Sequence, residues 1–198
     1  MSRNASARGH GRTADAAPAS SLTEPVLIIW GVPGTGKSTF ARWLRDRRGF
    51  HYIDTDTVGS GSAGPLEAAW VATFNRLTPP DSFLAKAASY GRSLVAEYGL
   101  WANSANIALL RQLRDGGAIT WWFDGDRDAA FDAWRAENKR SSRAFPDQLW
   151  RDVVGMINAN WQLLASFYDQ RMVQTVRPGP AHLLPEDIYE VLAADLAG

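Results

Sequence analysis

The chain has 198 residues, of which 45% are hydrophobic and 21% charged, as in a soluble globular protein with one substantial core. The 21 Lys and Arg residues equal the 21 Asp and Glu residues in number, so no overall charge favours nucleic acid or an anionic membrane as a partner. The absence of cysteine excludes disulfides, thiolate catalysis and cysteine-ligated zinc, so any metal would be held by oxygen atoms.

The first 24 residues, MSRNASARGHGRTADAAPASSLTE, contain no apolar run that could form a signal peptide or span a bilayer. Their Ala, Ser, Arg and Gly content predicts a disordered tail over residues 1–24, followed by one domain over residues 25–198. Three Arg residues with little acid also resemble a transit peptide slightly, but a solvated extension fits the composition better. We therefore expect a cytoplasmic protein.

Five apolar runs alternate with helical segments in the rest of the chain. They are VLIIW (26–30), FHYI (50–53), SLVAE (93–97), AITWWF (118–123) and MVQTV (172–176). The first and fourth runs are continuous, as in parallel strands covered by helices on both faces. The order strand, helix, strand predicts an α/β fold with a three-layer, doubly wound parallel sheet of five strands.

Helices are predicted where apolar residues recur at a spacing of three or four. The residues expected to face inward are Phe40, Trp43 and Leu44; Ile107, Leu110 and Leu113; Leu149, Val153, Ile157, Trp161 and Leu164; and Ile188, Val191 and Leu192. Gly116 and Gly117 should end the second of these helices. Pro146 and Pro185 suit the first positions of the last two, because proline lacks the N–H that a first turn leaves unpaired.

The segment GVPGTGKS (31–38) fits the phosphate-binding pattern G-x-x-x-x-G-K-[ST] between a predicted strand and a predicted helix. Backbone N–H groups and the helix N-terminus can then surround a diphosphate, while Lys37 reaches the β- and γ-phosphates and the Ser38 hydroxyl ligates Mg²⁺. The expected nucleotide-binding residues of the loop are Gly31, Pro33, Gly34, Thr35, Gly36, Lys37, Ser38 and Thr39. Kinases, motor ATPases and switch GTPases all use such a loop, so it does not decide the reaction.

In its size, the position of this loop and the acid after the second strand, the chain resembles the small P-loop kinases. That group includes shikimate, gluconate and adenylate kinases, chloramphenicol phosphotransferase, zeta toxins and the polynucleotide kinase domain. The resemblance covers residues 25–198 in layout, although only the loop is a specific motif. It implies the P-loop NTPase fold with a helical lid, and ATP and Mg²⁺ as cofactors.

Acidic residues follow the second and third predicted strands, at the edge where open α/β sheets bind ligands. In HYIDTDTV, the resemblance implies that Asp56 is the general base for the acceptor hydroxyl and Asp54 the acid on the metal side. It also places Glu97 near Mg²⁺ or substrate, so the expected metal residues are Ser38, Asp54 and Glu97. The alternatives are turn or capping roles for the aspartates, and a helix cap or an Arg partner for Glu97.

A basic segment, RAENKRSSRAF (135–145), follows the fourth predicted strand. The resemblance implies a mobile lid here that neutralises charge on the transferring phosphoryl group, and we expect Arg140 and Arg143 to be its catalytic residues. The usual arginine pair of the group would fall instead at Trp134 and at Glu137 or Asn138, so the residue match is imperfect. A solvated basic helix end is the alternative.

Other polar and aromatic residues receive weaker predictions. Asp124 and Asp126 form a good turn into the next helix and are not expected to be the catalytic acids. Arg177 would lie near the adenine in the layout of the group. Tyr98 and Trp101 should lie near the acceptor crevice, although core packing is the better expectation for both.

The sequence therefore favours an ATP-dependent phosphotransferase that moves the γ-phosphate to a hydroxyl of a small-molecule or nucleoside-type acceptor. A polynucleotide 5′-hydroxyl kinase is one alternative, but no ladder of aromatic and basic residues suggests a nucleic-acid groove. A non-catalytic or hydrolytic nucleotide switch is the other, but it would normally show a long apolar strand ending in Asp. We expect a monomer or homodimer without a membrane partner, and residues 57–101 contain no motif that indicates the acceptor.

Overall fold

The computed structural model describes residues 22–54, 64–98, 101–141, 145–179 and 182–197. Within these ranges, the strands are β1 (Val26–Gly31), β2 (His51–Ile53), β3 (Leu94–Glu97), β4 (Ile119–Gly125) and β5 (Met172–Val176). The helices are α1 (Lys37–Arg48), α2 (Pro65–Phe74), α3 (Pro80–Tyr90), α4 (Ser104–Asp115), α5 (Arg127–Arg140), α6 (Asp147–Ala159), α7 (Trp161–Tyr168) and α8 (Pro185–Leu196). None of the helices so described combines the length and the apolar character needed to cross a bilayer.

The five strands form one parallel sheet in the order β2-β3-β1-β4-β5. The predicted parallel sheet of five strands is thus confirmed, and each strand lies at one of the five apolar runs. Because β3 lies between β1 and β2, the carboxyl ends of these three strands stand side by side. The predicted phosphate-binding loop after β1 (residues 31–38), below called the phosphate loop, therefore shares an edge of the sheet with the acids that end β3 and follow β2.

Strand β1 is buried on both faces, which explains its continuous apolar sequence. Val26, Ile28 and Trp30 belong to the core on the face covered by α2 through α7. Leu27 and Ile29 belong to the core on the opposite face, which α1 and α8 cover. This arrangement gives the three layers that the sequence predicts.

The single helix predicted after Pro146 is wrong, because the chain forms two helices that meet at Asn160. The Asn160 backbone leaves the helical region (φ −108°, ψ 14°), and its side-chain amide donates to the Met156 carbonyl at 3.0 Å. Asparagine side chains compete with the helical backbone in this way and favour helix ends. Pro146 is the N-cap of α6 and not its first residue, and Trp161 stays 36% exposed at the start of α7.

The inward orientation predicted for Val191 is also wrong, since this residue is 50% exposed. Ile188 and Leu192, one turn apart, are buried as predicted. Helix α8 packs against α1 and β5 at the border of the fold. Its buried stripe is consequently narrow, and Val191 lies on its flank.

Candidate active site

The phosphate loop connects β1 directly to α1, and glycine is required at two of its turns. Gly36 has the left-handed φ of 79° at the N-cap of α1. Gly34 has a φ of 91°, and a Cβ atom there would lie 1.9 Å from the carbonyl oxygen of Ala130 in α5. The loop therefore approaches α5 more closely than any residue with a side chain would allow.

Side chains of the loop itself bind its carbonyl groups. Lys37 Nζ donates to the Val32 carbonyl at 2.9 Å and to the Gly31 carbonyl at 3.2 Å. The buried Thr35 hydroxyl also donates to Val32, at 2.7 Å. The first amides of α1 have no acceptor within the helix, so the loop offers N–H groups, a lysine and a helix N-terminus to an anion. This donor set fits a polyphosphate.

Glu97 contacts the loop at the end of the neighbouring strand. Ser38 Oγ donates to Glu97 Oε2 at 3.0 Å, and the Tyr52 hydroxyl donates to Glu97 Oε1. The register explains the contact, because Glu97 pairs with Ile29, whose side chain lies on the face that α1 covers. Among the described residues Glu97 forms no ion pair with an arginine, and Asn103, not Glu97, caps α4.

The surroundings of Glu97 alter its acidity. Burial raises the pKa of the Glu97 carboxyl, while the positive charge of Lys37 and the hydrogen bonds from Tyr52 and Ser38 oppose this rise. Burial and the nearby Glu97 charge raise the pKa of Tyr52 far above the normal tyrosine value. Tyr52 therefore keeps its proton and remains a donor to Glu97.

Asp54 is the second acid at this edge. It lines the same cavity as Ser38 and Glu97, and its charge contributes to the raised pKa of Glu97. The predicted base Asp56 lies outside the described residues. In the described ranges, no group of three or more His, Asp or Glu side chains could hold a metal. Mg²⁺ commonly uses one or two carboxylates together with phosphate oxygens and water, and the Ser38, Asp54 and Glu97 oxygens suit that chemistry.

A cavity of about 760 Å³ opens over the loop, a size typical of small-molecule sites. The whole predicted nucleotide-binding loop lines it, from Gly31 to Thr39 with the exception of Val32. The opposite wall comes from α5 and the start of α6, and α8 with the segment before it closes one end. Arg177 is exposed and absent from this described lining, so its place near an adenine stays a prediction.

Helix α5 turns Trp134, Asn138 and Arg140 toward this cavity. The Arg140 guanidinium forms a 2.8 Å ion pair with Glu137, and its side chain is 74% exposed. Arg143 lies outside the described residues. The positions at which the resemblance to small P-loop kinases implied arginine line this cavity, but they hold the indole of Trp134 and either the carboxylate of Glu137 or the amide of Asn138.

The turn predicted after β4 is present. The Asp126 side chain accepts a hydrogen bond from the Ala129 amide at 2.9 Å and so caps α5. Asp124 is buried and pairs with Arg127. Neither aspartate lines the cavity over the loop.

The aromatic residues after β3 differ in burial. Tyr98 is 1% exposed and packs edge-on against Trp30, with 5.3 Å between the ring centroids, as core packing predicts. It also forms part of the cavity wall. Trp101 is 37% exposed, so core packing is wrong for this residue.

Sequence reasoning missed several residues that line or support the site. Tyr52 lies two residues before Asp54, and strand periodicity could have placed it on the same side as that acid. Arg42 lies one helical turn after Ser38, lines the cavity and donates to the Ser38 carbonyl at 3.1 Å. His182 joins the lining through an antiparallel bridge to Val176, for which the sequence gives no signal.

No family model matches the chain, and no curated protein matches its sequence. Among solved structures, it is similar to a tunicamycin resistance protein from Deinococcus radiodurans, with 15% identity, a TM-score of 0.52, and coverage of 86% of this chain and 95% of that one. It is also similar to a gluconokinase from Sinorhizobium meliloti 1021, with 16% identity, a TM-score of 0.47, and coverage of 89% and 94%. A shikimate kinase from Acinetobacter baumannii in complex with shikimate gives 15% identity, a TM-score of 0.48, and coverage of 88% and 94%. At 15% identity, the similarity to the tunicamycin resistance protein shows a shared α/β fold and nothing of the activity or substrate.

Proposed function

We propose that this protein is an ATP-dependent phosphotransferase that moves the γ-phosphate to a hydroxyl of a small-molecule or nucleoside-type acceptor. The observation that carries the proposal is the 3.0 Å contact between Ser38 Oγ and Glu97 Oε2 beside a complete phosphate loop. A glycine-rich turn that binds no ligand does not require a carboxylate beside its serine. Oxygen atoms in this position favour a metal-bound polyphosphate as the ligand.

Lys37 and the loop amides would bind the phosphates. Lys37 Nζ donates to two uncharged carbonyls, and a phosphate oxygen is a stronger, charge-assisted acceptor for the same ammonium group. Ser38, Asp54 and Glu97 would hold Mg²⁺, which when bound offsets charge on the β- and γ-phosphates.

On the acceptor side, Asp56 would take the proton of the acceptor hydroxyl. Arg140 and Arg143 would approach the transferring group, with Arg140 exchanging Glu137 for phosphate oxygens. The walls from α5 and α6 would exclude water, which otherwise competes as an acceptor.

The first test is ATP·Mg²⁺ binding to Lys37→Ala, with Lys86→Ala as the matched control on the exposed surface of α3. Losing a hydrogen bond between charged groups should raise the Kd for ATP·Mg²⁺ about 10-fold or more, measured by calorimetry. The thermal unfolding midpoint should not change, because Lys37 contributes little to the core. Equal affinity in wild type and Lys37→Ala would refute the proposal.

The second test is acceptor dependence, measured as ADP release with alcohols, nucleosides, aminoglycosides, sugars and 5′-hydroxyl oligonucleotides. Lys37→Ala serves as the blank. ATP consumption should be slow alone and rise strongly with the right acceptor, because transfer needs an oriented nucleophile. If no acceptor has an effect and steady hydrolysis responds to a protein partner instead, a nucleotide switch replaces the kinase.

A further inference from the structure

Two side chains far from the loop in sequence hold two of its carbonyl groups. The indole Nε1 of Trp150, in α6, donates to the Pro33 carbonyl at 3.0 Å. The hydroxyl of Thr175, in β5, lies 2.7 Å from the Thr35 carbonyl and 3.1 Å from the Asp124 carbonyl. Trp150 is 8% exposed and Thr175 is 1% exposed, so both donors are fixed in the interior.

The direction of these bonds matters because a peptide unit is planar and trans. The C=O and N–H of one unit point in opposite directions, so a bond that holds the carbonyl also orients the amide. The Pro33 carbonyl shares its unit with the Gly34 amide, and the Thr35 carbonyl shares its unit with the Gly36 amide. Trp150 and Thr175 therefore orient the amides of Gly34 and Gly36.

Both amides belong to the candidate phosphate site. Gly34 and Gly36 line the cavity, and neither amide donates to a backbone carbonyl of the described residues. Glycine peptides rotate more freely than others, since no Cβ restricts them. Without an outside support, these two amides would lose orientation at the place where a phosphate needs it.

The supports are rigid because each is tied to a second element. The ring of Trp150 packs against Phe131 of α5, with 4.9 Å between the centroids. Helix α5 also contacts the loop at Gly34, where the Ala130 carbonyl occupies the space that a Cβ atom would need. The single proton of the Thr175 hydroxyl is shared between the Thr35 carbonyl of the loop and the more distant Asp124 carbonyl of β4. The α5–α6 wall and β5 thus support the loop from outside the motif.

We infer that Trp150 and Thr175 are positioning residues that fix the Gly34 and Gly36 amides for binding a polyphosphate. This inference rests on the proposed function, since it requires that the loop binds phosphate. It assigns a role to two residues outside the loop motif, and it concerns phosphate affinity and not the acceptor.

The hydroxyl is tested by Thr175→Val, which keeps the side-chain shape, with Thr120→Val as its matched control. Thr120 is a fully buried threonine of the neighbouring strand β4, and its hydroxyl has no hydrogen-bond partner among the described residues. Thr175→Val should raise the Kd for ATP·Mg²⁺ about 2–10-fold, the range for one lost neutral hydrogen bond. Thr120→Val should leave this Kd unchanged, and Thr175→Ser should restore it.

The indole is tested in the same way by Trp150→Phe, with Trp70→Phe as its control. Trp70 is fully buried in α2, and its Nε1 has no hydrogen-bond partner in the part of the chain that the structure describes. Both variants therefore lose ring volume, but only Trp150→Phe loses a donor to the loop. Trp150→Phe should raise the Kd about 2–10-fold beyond any change in the control.

Calorimetric titration with inorganic triphosphate separates a phosphate effect from a nucleoside effect. The Kd values for ATP·Mg²⁺ and for triphosphate should rise by the same factor in each variant, because the supported amides face phosphate. If wild type binds ATP·Mg²⁺ and both variants bind like their controls, the inference is wrong and the proposed function stands. If wild type binds neither ligand, the proposed function fails and this inference falls with it.

Discussion

Glu97→Gln tests the carboxylate that joins β3 to the phosphate loop. The substitution keeps the side-chain shape but removes the negative charge and one of the two acceptor oxygens. Ser38 and Tyr52 each donate to a different oxygen of Glu97, so one of them loses its acceptor in the glutamine variant. On the proposed assignment, the change therefore removes a Mg²⁺ ligand and leaves Lys37 in place.

The expected magnitude follows from these contacts. A hydrogen bond to a charged group contributes about 1.5–3 kcal/mol, and about 1.4 kcal/mol corresponds to a factor of ten in affinity. Losing the charge and one such bond should raise the Mg²⁺ concentration needed for half-maximal ATP binding about 10–100-fold, the range also found when groups that support metal ligands are removed. Without Mg²⁺, ATP should bind Glu97→Gln as well as wild type or better, because a negative charge has left the phosphate site.

The assay is ATP binding by calorimetry as a function of Mg²⁺, repeated without metal in chelator. Asp46→Asn is the matched control, since Asp46 is an exposed acid of α1 that pairs with Arg45 and does not line the cavity. An unchanged Mg²⁺ midpoint in Glu97→Gln would refute the metal-side role. Weaker ATP binding in chelator would instead indicate a distorted loop.

Three further predictions concern the same group of acids. Tyr52→Phe should raise the Mg²⁺ requirement about 10-fold, at the low end of the range for a group that supports a metal ligand, because Glu97 keeps its charge and loses one donor. Tyr90→Phe, at an exposed tyrosine, is the control. Asp56→Asn should lower the transfer rate about 10²–10⁴-fold with nearly unchanged ATP binding, and the lower end is expected because phosphoryl transfer depends mainly on positioning. Asp54→Asn should instead raise the Mg²⁺ requirement. Reversed effects would exchange the two roles. Because the pKa of Glu97 is raised, the folded protein keeps a proton that the unfolded chain releases, so wild-type stability relative to Glu97→Gln should fall as pH rises from the ordinary glutamate pKa to the folded value. Thermal unfolding of both metal-free proteins across this pH range measures the two stabilities. A wild-type protein that becomes more stable relative to Glu97→Gln as pH rises would contradict the assignment.

The sheet was predictable because its signals are local. A strand buried on both faces needs apolar side chains at every position, and Val26 through Trp30 supply them. The loop was also predictable, because its pattern of residues is local, although the contact that requires glycine at Gly34 is made with the Ala130 carbonyl of α5, far away in the sequence. Helix ends and flanks were not predictable from spacing alone. Asn160 interrupts a continuous apolar period, and Val191 stays exposed because α8 has few neighbours.

The role of Glu97 could not be decided from its own sequence context. An acid at the end of a strand can cap a helix, pair with an arginine or face a ligand, and its neighbours in the chain do not distinguish these cases. The strand order supplies what the local sequence lacks, because β3 lies beside β1 and so brings Glu97 to Ser38. Thr175 and Trp150 were missed for the same reason, since their partners in the loop lie 140 and 117 residues away.

The positive charges around the cavity were also hard to predict from the local sequence. In the described lining, the side chains with a permanent positive charge are Lys37, Arg42 and Arg140. Trp134, at an expected arginine position, stacks on Phe131 and cannot neutralise phosphate. Arg140 is paired with Glu137, but this ion pair is largely exposed and so contributes little stability. Replacing Glu137 by a phosphate oxygen as the partner of Arg140 would therefore cost little free energy. Arg140, at the end of α5, is for this reason a better source of positive charge for a phosphate than Trp134, in the middle of the helix.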